Sequence, residues 1–364
     1  MKRLLGYFWI WMAALYGSPA AFSNPPDPAS LTNPANPAGH DSTYQVALLL
    51  PLGAPALKQA AQALQMGFSA AAGREPTISA GIRVYPTTGQ AQDILDSYQE
   101  AVRDGVEMVV GPLTRNGVSA LAASQMVTVP TLALNASAIE DIDPPSNLYL
   151  FGMNTADEAR YVAQLAAESA RPHAVIVTDR SELSKRLKAA FADEWIRPDN
   201  ITSAEEFELG SQDKLVQLYH HTSEQDNVVF LALNGFSSRA VRLFIHPAIP
   251  VYATSLVFTG SSDPTYFQEL DAVQFTEMPW LLQLEPADIQ HYRQPDMPTD
   301  ANLQRFYALG IDAFQLTLRM LHKHIPENIA FAGATGHIRY EPPNQFNRRQ
   351  IPAVFRQGRV IPYH

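Results

Sequence analysis

The segment Val46-Ala-Leu-Leu-Leu-Pro-Leu52 carries no polar side chain. A strand with one wet face alternates apolar and polar residues, so a strand apolar throughout must be covered on both faces. Leu57, Ala60, Ala61, Leu64, Phe68 and Ala71 follow at helical spacing, and Gly73 is a natural stop. A second strand is predicted over 82–85. Ile94, Leu95, Tyr98, Ala101 and Val102 mark the next helix, ended by Gly105. Strands over 106–110 and 127–134 come next. This rhythm of strand and helix is that of βα units in a parallel sheet.

The pattern then restarts. Helices are predicted over 157–170 and 184–195, with another around Leu215 and Leu218. Strands are predicted over 174–178, 228–233, 251–254 and 273–275. A long helix over 302–322 and a hairpin-like tail over 336–361 close the chain. Two successive sets of this kind predict two lobes of similar build, and 364 residues are enough for two domains.

The amino terminus has a basic Lys2-Arg3 pair, an apolar run over 4–16, and small residues at Ser18, Ala20, Ala21 and Ser23. This is the pattern of a secretory signal peptide, taken as 1–23, with a signal anchor as the alternative. Residues 24–43 hold five prolines among small polar residues and read as a tether. No later run approaches the length needed to span a bilayer, so no transmembrane segment is expected in the mature chain. The expected location is the periplasm.

Charge and composition exclude several roles. The formal net charge is −10, which repels phosphate backbones, so no nucleic acid partner is expected. The chain has 0 cysteines, which excludes disulfides, thiolate metal sites, a Cys nucleophile and a lipobox cysteine. His220-His221 and the pair His322 and His324 are spaced so that neighbours on a helix face apart, so no metal is expected. Ser211-Gln-Asp-Lys214 spells the S-x-x-K of penicillin-recognising enzymes, but the K-T-G and S-D-N elements are missing. Ser211 reads better as a helix cap after Gly210. Neither catalytic residues nor a cofactor are expected.

Two loops suggest binding instead. Gly111-Pro-Leu-Thr-Arg-Asn116 lies between a strand's carboxyl end and a helix start, where exposed amides hold small polar groups. The alternative is a plain turn capped by Thr114 or Asn116. Asn135-Ala-Ser137 follows the next strand, and either binds or closes a turn. The Met278-Pro-Trp-Leu-Leu282 run reads as core, with a hinge or partner surface as the alternative.

Val110-Gly-Pro-Leu-Thr-Arg-Asn-Gly-Val118, Leu132-Ala-Leu-Asn135, Asn154-Thr-Ala-Asp-Glu-Ala-Arg160 and Phe191-Ala-Asp-Glu-Trp195 resemble the carboxy-terminal domain of the LppC/LpoA family. So do 275–282, Phe306-Tyr-Ala-Leu-Gly-Ile-Asp-Ala-Phe314 and Gly333-Ala-Thr-Gly-His-Ile338. These are the penicillin-binding protein activators, within the type I periplasmic binding protein superfamily. The resemblance implies an α/β, two-lobed fold with three crossovers, each lobe a Rossmann-like parallel sheet flanked by helices. Lobe 1 would be 44–153 plus 277–330, and lobe 2 would be 154–276 plus 331–364. It implies regulation of peptidoglycan synthesis by contact with a peptidoglycan synthase, a penicillin-binding protein.

The superfamily's amino acid receptors imply an alternative, a solute-binding receptor of an ABC importer holding an amino acid-like ligand. Its small polar ligand would sit in the inter-lobe cleft. The cleft candidates are Thr114, Arg115, Asn135, Ala136 and Ser137 from lobe 1, and Ser181, Ser184, Asn234 and Ser255 from lobe 2.

Overall fold

The computed structural model describes residues 43–363 apart from 80, 140–143, 197–201, 211, 224–225, 262 and 323–325. The expected signal peptide, the tether but for Thr43, the Ser211 cap and His324 lie outside the described residues.

Strand β1 (Val46–Leu50) is buried along its whole length. It pairs in parallel with β2 (Ile82–Pro86) and β3 (Met108–Val110). Beyond β3 come β4 (Thr131–Ala133) and β5 (Leu148–Leu150), also parallel. Helices α1 (Lys58–Ala72), a short α2 (Pro76–Ser79), α3 (Ala91–Arg103) and α4 (Arg115–Ala123) connect them. The chain then builds a second sheet from β6 (His173–Thr178), β7 (Ser203–Glu208), β8 (Asn227–Leu231), β9 (Val251–Ala253) and β10 (Val273–Glu277). Its helices are α5 (Thr155–Ala167), α6 (Glu182–Trp195), α7 (Gln212–His221) and α8 (Gly235–Arg242).

From β10 the chain returns to the first lobe through the short α9 (Pro279–Leu282) and α10 (Ala287–Gln290) and the long α11 (Ala301–Leu321). The strands β11 (Ala330–Ala332), β12 (His337–Glu341) and β13 (Gln345–Arg349) follow, then β14 (Ile351–Arg356) and β15 (Arg359–Pro362). The first sheet runs β11-β12-β13-β5-β4-β3-β1-β2 and the second β15-β14-β10-β9-β8-β6-β7. The chain therefore passes between the sheets at 151–154, at Met278 and at Gln350.

The third passage differs from the expected switch at 330/331. β12 and β13 pair with each other and β13 pairs with β5, so 330–349 extend the first sheet. Only 351–362 join the second, where β14 pairs with β10. The hairpin-like tail is two hairpins, one for each lobe. Three strands were not expected: β5 and β11 are only three residues long, and β7 is an edge strand reading Ser-Ala-Glu-Glu-Phe-Glu, largely exposed and without an apolar run. The strand expected over 127–134 shrinks to Thr131–Ala133, starting just after Pro130.

Helices α1 and α11 cover one face of the first sheet and cross very closely. A Cβ on Gly67 would lie 1.9 Å from the Tyr307 carbonyl oxygen, and one on Gly310 would lie 2.1 Å from that of Leu64. Phe68 meets Phe314 edge-on at 5.4 Å beside the crossing. Met278 and Trp280 are buried in this same core, so the 278–282 run is core at the second passage. In the second lobe Phe191 of α6 stacks on Phe230 at 4.2 Å. On the other face Phe275 stacks on Phe355 at 4.6 Å, joining β10 to β14. The described part of the chain falls in one compact unit.

Candidate functional site

The loops after β3 and β4 are tied to each other. Thr114 caps α4, its Oγ1 accepting from Gly117 N at 3.2 Å. Arg115 Nη2 donates to the Ser137 carbonyl at 2.8 Å, and Ser137 Oγ pairs with Ser119 Oγ at 3.0 Å. Asn135 Nδ2 donates to the Leu113 carbonyl while its Oδ1 accepts from Ala136 N, each at 2.9 Å. The five first-lobe candidates are thus brought together, with Thr114 and the Asn135 amide engaged in caps and turn closures.

The second-lobe candidates lie at the corresponding strand ends. Ser181 caps α6 by accepting from Ser184 N at 3.1 Å, and Ser184 Oγ accepts from Asp179 N at 2.9 Å. Asn234 caps α8 through Ser237 N at 3.0 Å. Ser255 follows β9 and is buried, its Oγ donating to Glu158 Oε2 at 3.1 Å.

A cavity of about 240 Å³ lies between the lobes, lined by Asn135 and Ala136 at the end of β4, by Gln345, Asn347 and Arg348 of β13, and by Asn154, Asp157 and Arg160 at the start of α5. Of the nine candidates, Asn135 and Ala136 line it. A groove of about 420 Å³ shares Asp157, Arg160, Asn347 and Arg348 with it and runs out along His337, Arg339 and Arg349. Arg160 pairs with Asp157 at 2.8 Å, and the Arg349 guanidinium sits over the Tyr161 ring at 4.4 Å. The walls suit a small polar or zwitterionic group better than an apolar one.

Beside this cavity a buried polar network joins the three passages. Glu158 of α5 accepts from Ser255 N and from Thr276 Oγ1, the latter at 2.9 Å. Oriented to satisfy its neighbours, the Gln350 amide donates to Thr276 Oγ1 at 3.1 Å and to Glu158 Oε1 at 3.2 Å, and its oxygen accepts from Arg348 Nη1 at 3.0 Å. Arg348 Nε donates to the Gly152 carbonyl at 3.2 Å. Arg305 of α11 forms a buried ion pair with Glu277 and donates to the carbonyls of Ser255 at 3.0 Å and Phe258 at 2.8 Å. Glu277 Oε1 also accepts from Met278 N at 2.9 Å.

Burial sets the titration of these groups. It pushes Glu158 above the usual carboxylate range, opposed by the Ser255 amide and the charge of Arg348. It lowers Arg348, with Glu158 and Glu277 pulling the other way. For Arg305 burial also works against the charge, but Glu277 outweighs it and raises the pKa. Asp312 of α11 is pushed up to about 6 by burial, although Thr335 and Ala334 donate to it.

None of Glu158, Glu277, Arg305 and Arg348 stood out singly in the sequence. A signal existed, because Arg305 and Asp312 interrupt the apolar stripe of a long helix, where an unpaired charge is costly. Among the described residues no group of three or more His, Asp or Glu side chains gathers as a metal site.

Two parallel-cored sheets, three passages between them and a polar inter-lobe cavity define the class of two-lobed binding proteins. Within it, the family model described as "LppC putative lipoprotein" matches residues 11–212 and 217–358, and the chain belongs to that family. The penicillin-binding protein activator LpoA of Pantoea ananatis is 26% identical over 333 residues, covering 79% of this chain and 48% of the relative. The LpoA of Haemophilus ducreyi is 24% identical, covering 86% and 54%. The chain spans about half the length of the curated relatives it matches.

Among solved structures, a "putative branched-chain amino acid ABC transporter" from Chromobacterium violaceum is 31% identical, with a TM-score of 0.72 over 86% of this chain and 100% of that one. The LpoA C-domain from Haemophilus influenzae, described as a regulator of PBP1A, gives 0.73 over 88% and 100%, at 21% identity. These likenesses establish the type I periplasmic binding protein fold.

Proposed function

We propose that this chain is a non-catalytic periplasmic regulator that docks on a peptidoglycan synthase of the penicillin-binding class and raises its cross-linking activity. The observation that carries this reading is the full-length correspondence with the regulator's C-domain, joined to family membership. The site chemistry agrees with it. Glu158 lines the cavity but is held by the Ser255 amide and Thr276, and among the described residues the cavity lining includes no Ser, Thr, Cys or Lys to serve as a nucleophile. The test is reconstitution: purified protein is titrated onto a bifunctional synthase while binding and peptide cross-linking are followed. Saturable binding with a rise in cross-linking is expected. The reading fails if no binding is seen at micromolar concentration.

A second reading is a solute-binding receptor, favoured by the 31% identity to the Chromobacterium chain and by the polar inter-lobe cavity. A receptor gains about 2.7 kcal/mol of stability at ligand a hundredfold above Kd. A thermal-shift panel of amino acids and short peptides separates the two readings.

A further inference from the structure

We propose that the groove between the β12–β13 hairpin and α5 is a binding site for a small dicarboxylate. Side chains alternate along the hairpin, so Ile338 and Phe346 enter the core while His337, Arg339, Asn347 and Arg349 take the other face. That face forms one wall of the groove of about 420 Å³, and Asp157, Arg160 and Tyr161 of α5 form another. The volume suits a small molecule. None of the nine cleft candidates lines this groove, so the site is separate from the loops at the strand ends.

Donors and acceptors are unevenly matched here. Each carboxylate of the lining is already engaged. Asp157 accepts from Asn154 at 2.7 Å and from Arg160 at 2.8 Å, Glu194 accepts from Gln164 at 3.1 Å, and Glu341 accepts from Asn347. The donors of the hairpin are not engaged in this way. Arg339 approaches Glu341 only to 3.8 Å, too far for a hydrogen bond. Among the described residues, the side chains of His337 and Arg349 meet no hydrogen-bond acceptor.

Arg349 is nonetheless held in place. Its guanidinium lies over the Tyr161 ring at 4.4 Å, an arrangement that orders an arginine while leaving its in-plane N–H groups free. That fork matches a carboxylate through two parallel hydrogen bonds. His337 stands directly opposite Arg349 in the ladder and offers a further donor to the same acid. Arg339 is the diagonal neighbour of Arg349, about 7–8 Å away by sheet geometry. A ligand with two carboxylates on a short chain meets both guanidinium groups at once, whereas a compact anion satisfies one. The net charge of −10 does not draw anions from a distance, so selectivity comes from this local pairing.

The test is calorimetric titration of the purified protein with glutarate, with acetate and sulfate as controls. Saturable glutarate binding is expected, with both controls about tenfold weaker. Arg349→Gln and Arg339→Gln should each weaken glutarate about tenfold, through loss of one charged hydrogen-bonded pair. Arg356→Gln removes the same charge from β14, outside the groove, and should leave binding unchanged. No saturable heat with millimolar glutarate overturns the proposal. So does sulfate binding as tightly as glutarate, or equal weakening by Arg356→Gln, because each marks a general effect of charge. Circular dichroism checks that each variant is folded, and if one groove variant misfolds the other decides. No synthase enters this titration, so its failure and that of the docking reading are told apart.

Discussion

Asp312 shows what one buried carboxyl imposes. It is fully buried and accepts from Ala334 N at 2.8 Å, Thr335 N at 2.7 Å and Thr335 Oγ1 at 2.6 Å. It therefore clamps the loop between β11 and β12 to α11. A Cβ on Gly333 would come within 2.6 Å of the same carboxyl, so the loop passes where only glycine fits. The folded pKa of about 6 lies above the ordinary 3.8. A raised value means that the fold holds the proton more tightly than the unfolded chain does. The stability this provides is present below about pH 4 and is lost as pH rises through 6. By the usual conversion the loss is about 3 kcal/mol. Urea titrations of the parent and of Asp312→Asn at several pH values should show the parent's advantage over the variant shrinking by that order between pH 4 and 7. A difference that stays constant with pH would refute the assignment.

At the scale of elements, the crossing of α1 and α11 is set by glycine on both sides. Gly67→Ala and Gly310→Ala each drive a methyl into a backbone carbonyl of the partner helix. Each should cost about 1–3 kcal/mol, by the usual penalty for overpacking. A drop in the urea midpoint with an unchanged slope would report it. A smaller effect is expected for Thr114→Ala, which removes the cap of α4 and should cost about 1 kcal/mol in the same measurement.

Elements of this kind were largely legible in the sequence. The alternation of buried strands and helices announced two α/β lobes, because continuous apolar runs leave few other arrangements. The third passage was not legible. β12 and β13 are far more polar than β14 and β15, but composition does not say which sheet a hairpin joins, and only pairing does. The same holds for the cavity: Asn154, Arg160 and Asn347 are ordinary surface residues until β13 lies against β5 and α5 follows it. Asn135 was within reach of sequence reasoning because it follows a buried strand directly.

At the scale of the molecule, each lobe depends on residues far away in the chain. Ending the chain after Arg349 would remove β14 and β15, leaving β10 an edge and the Phe275 ring without its stack on Phe355. Hydrogen exchange should then show lost protection in β9 and β10, while β1 and β3 keep theirs. Equal loss in both sheets would mean that the lobes unfold as one unit.

The interleaving of 330–362 between the two sheets also governs when the structure can form. Neither half can be completed from an early portion of the polypeptide, because the strands β11 to β15 are supplied last. Contacts of such long sequence separation form slowly. Both sheets therefore reach their full strand complement only once nearly the whole chain has been made.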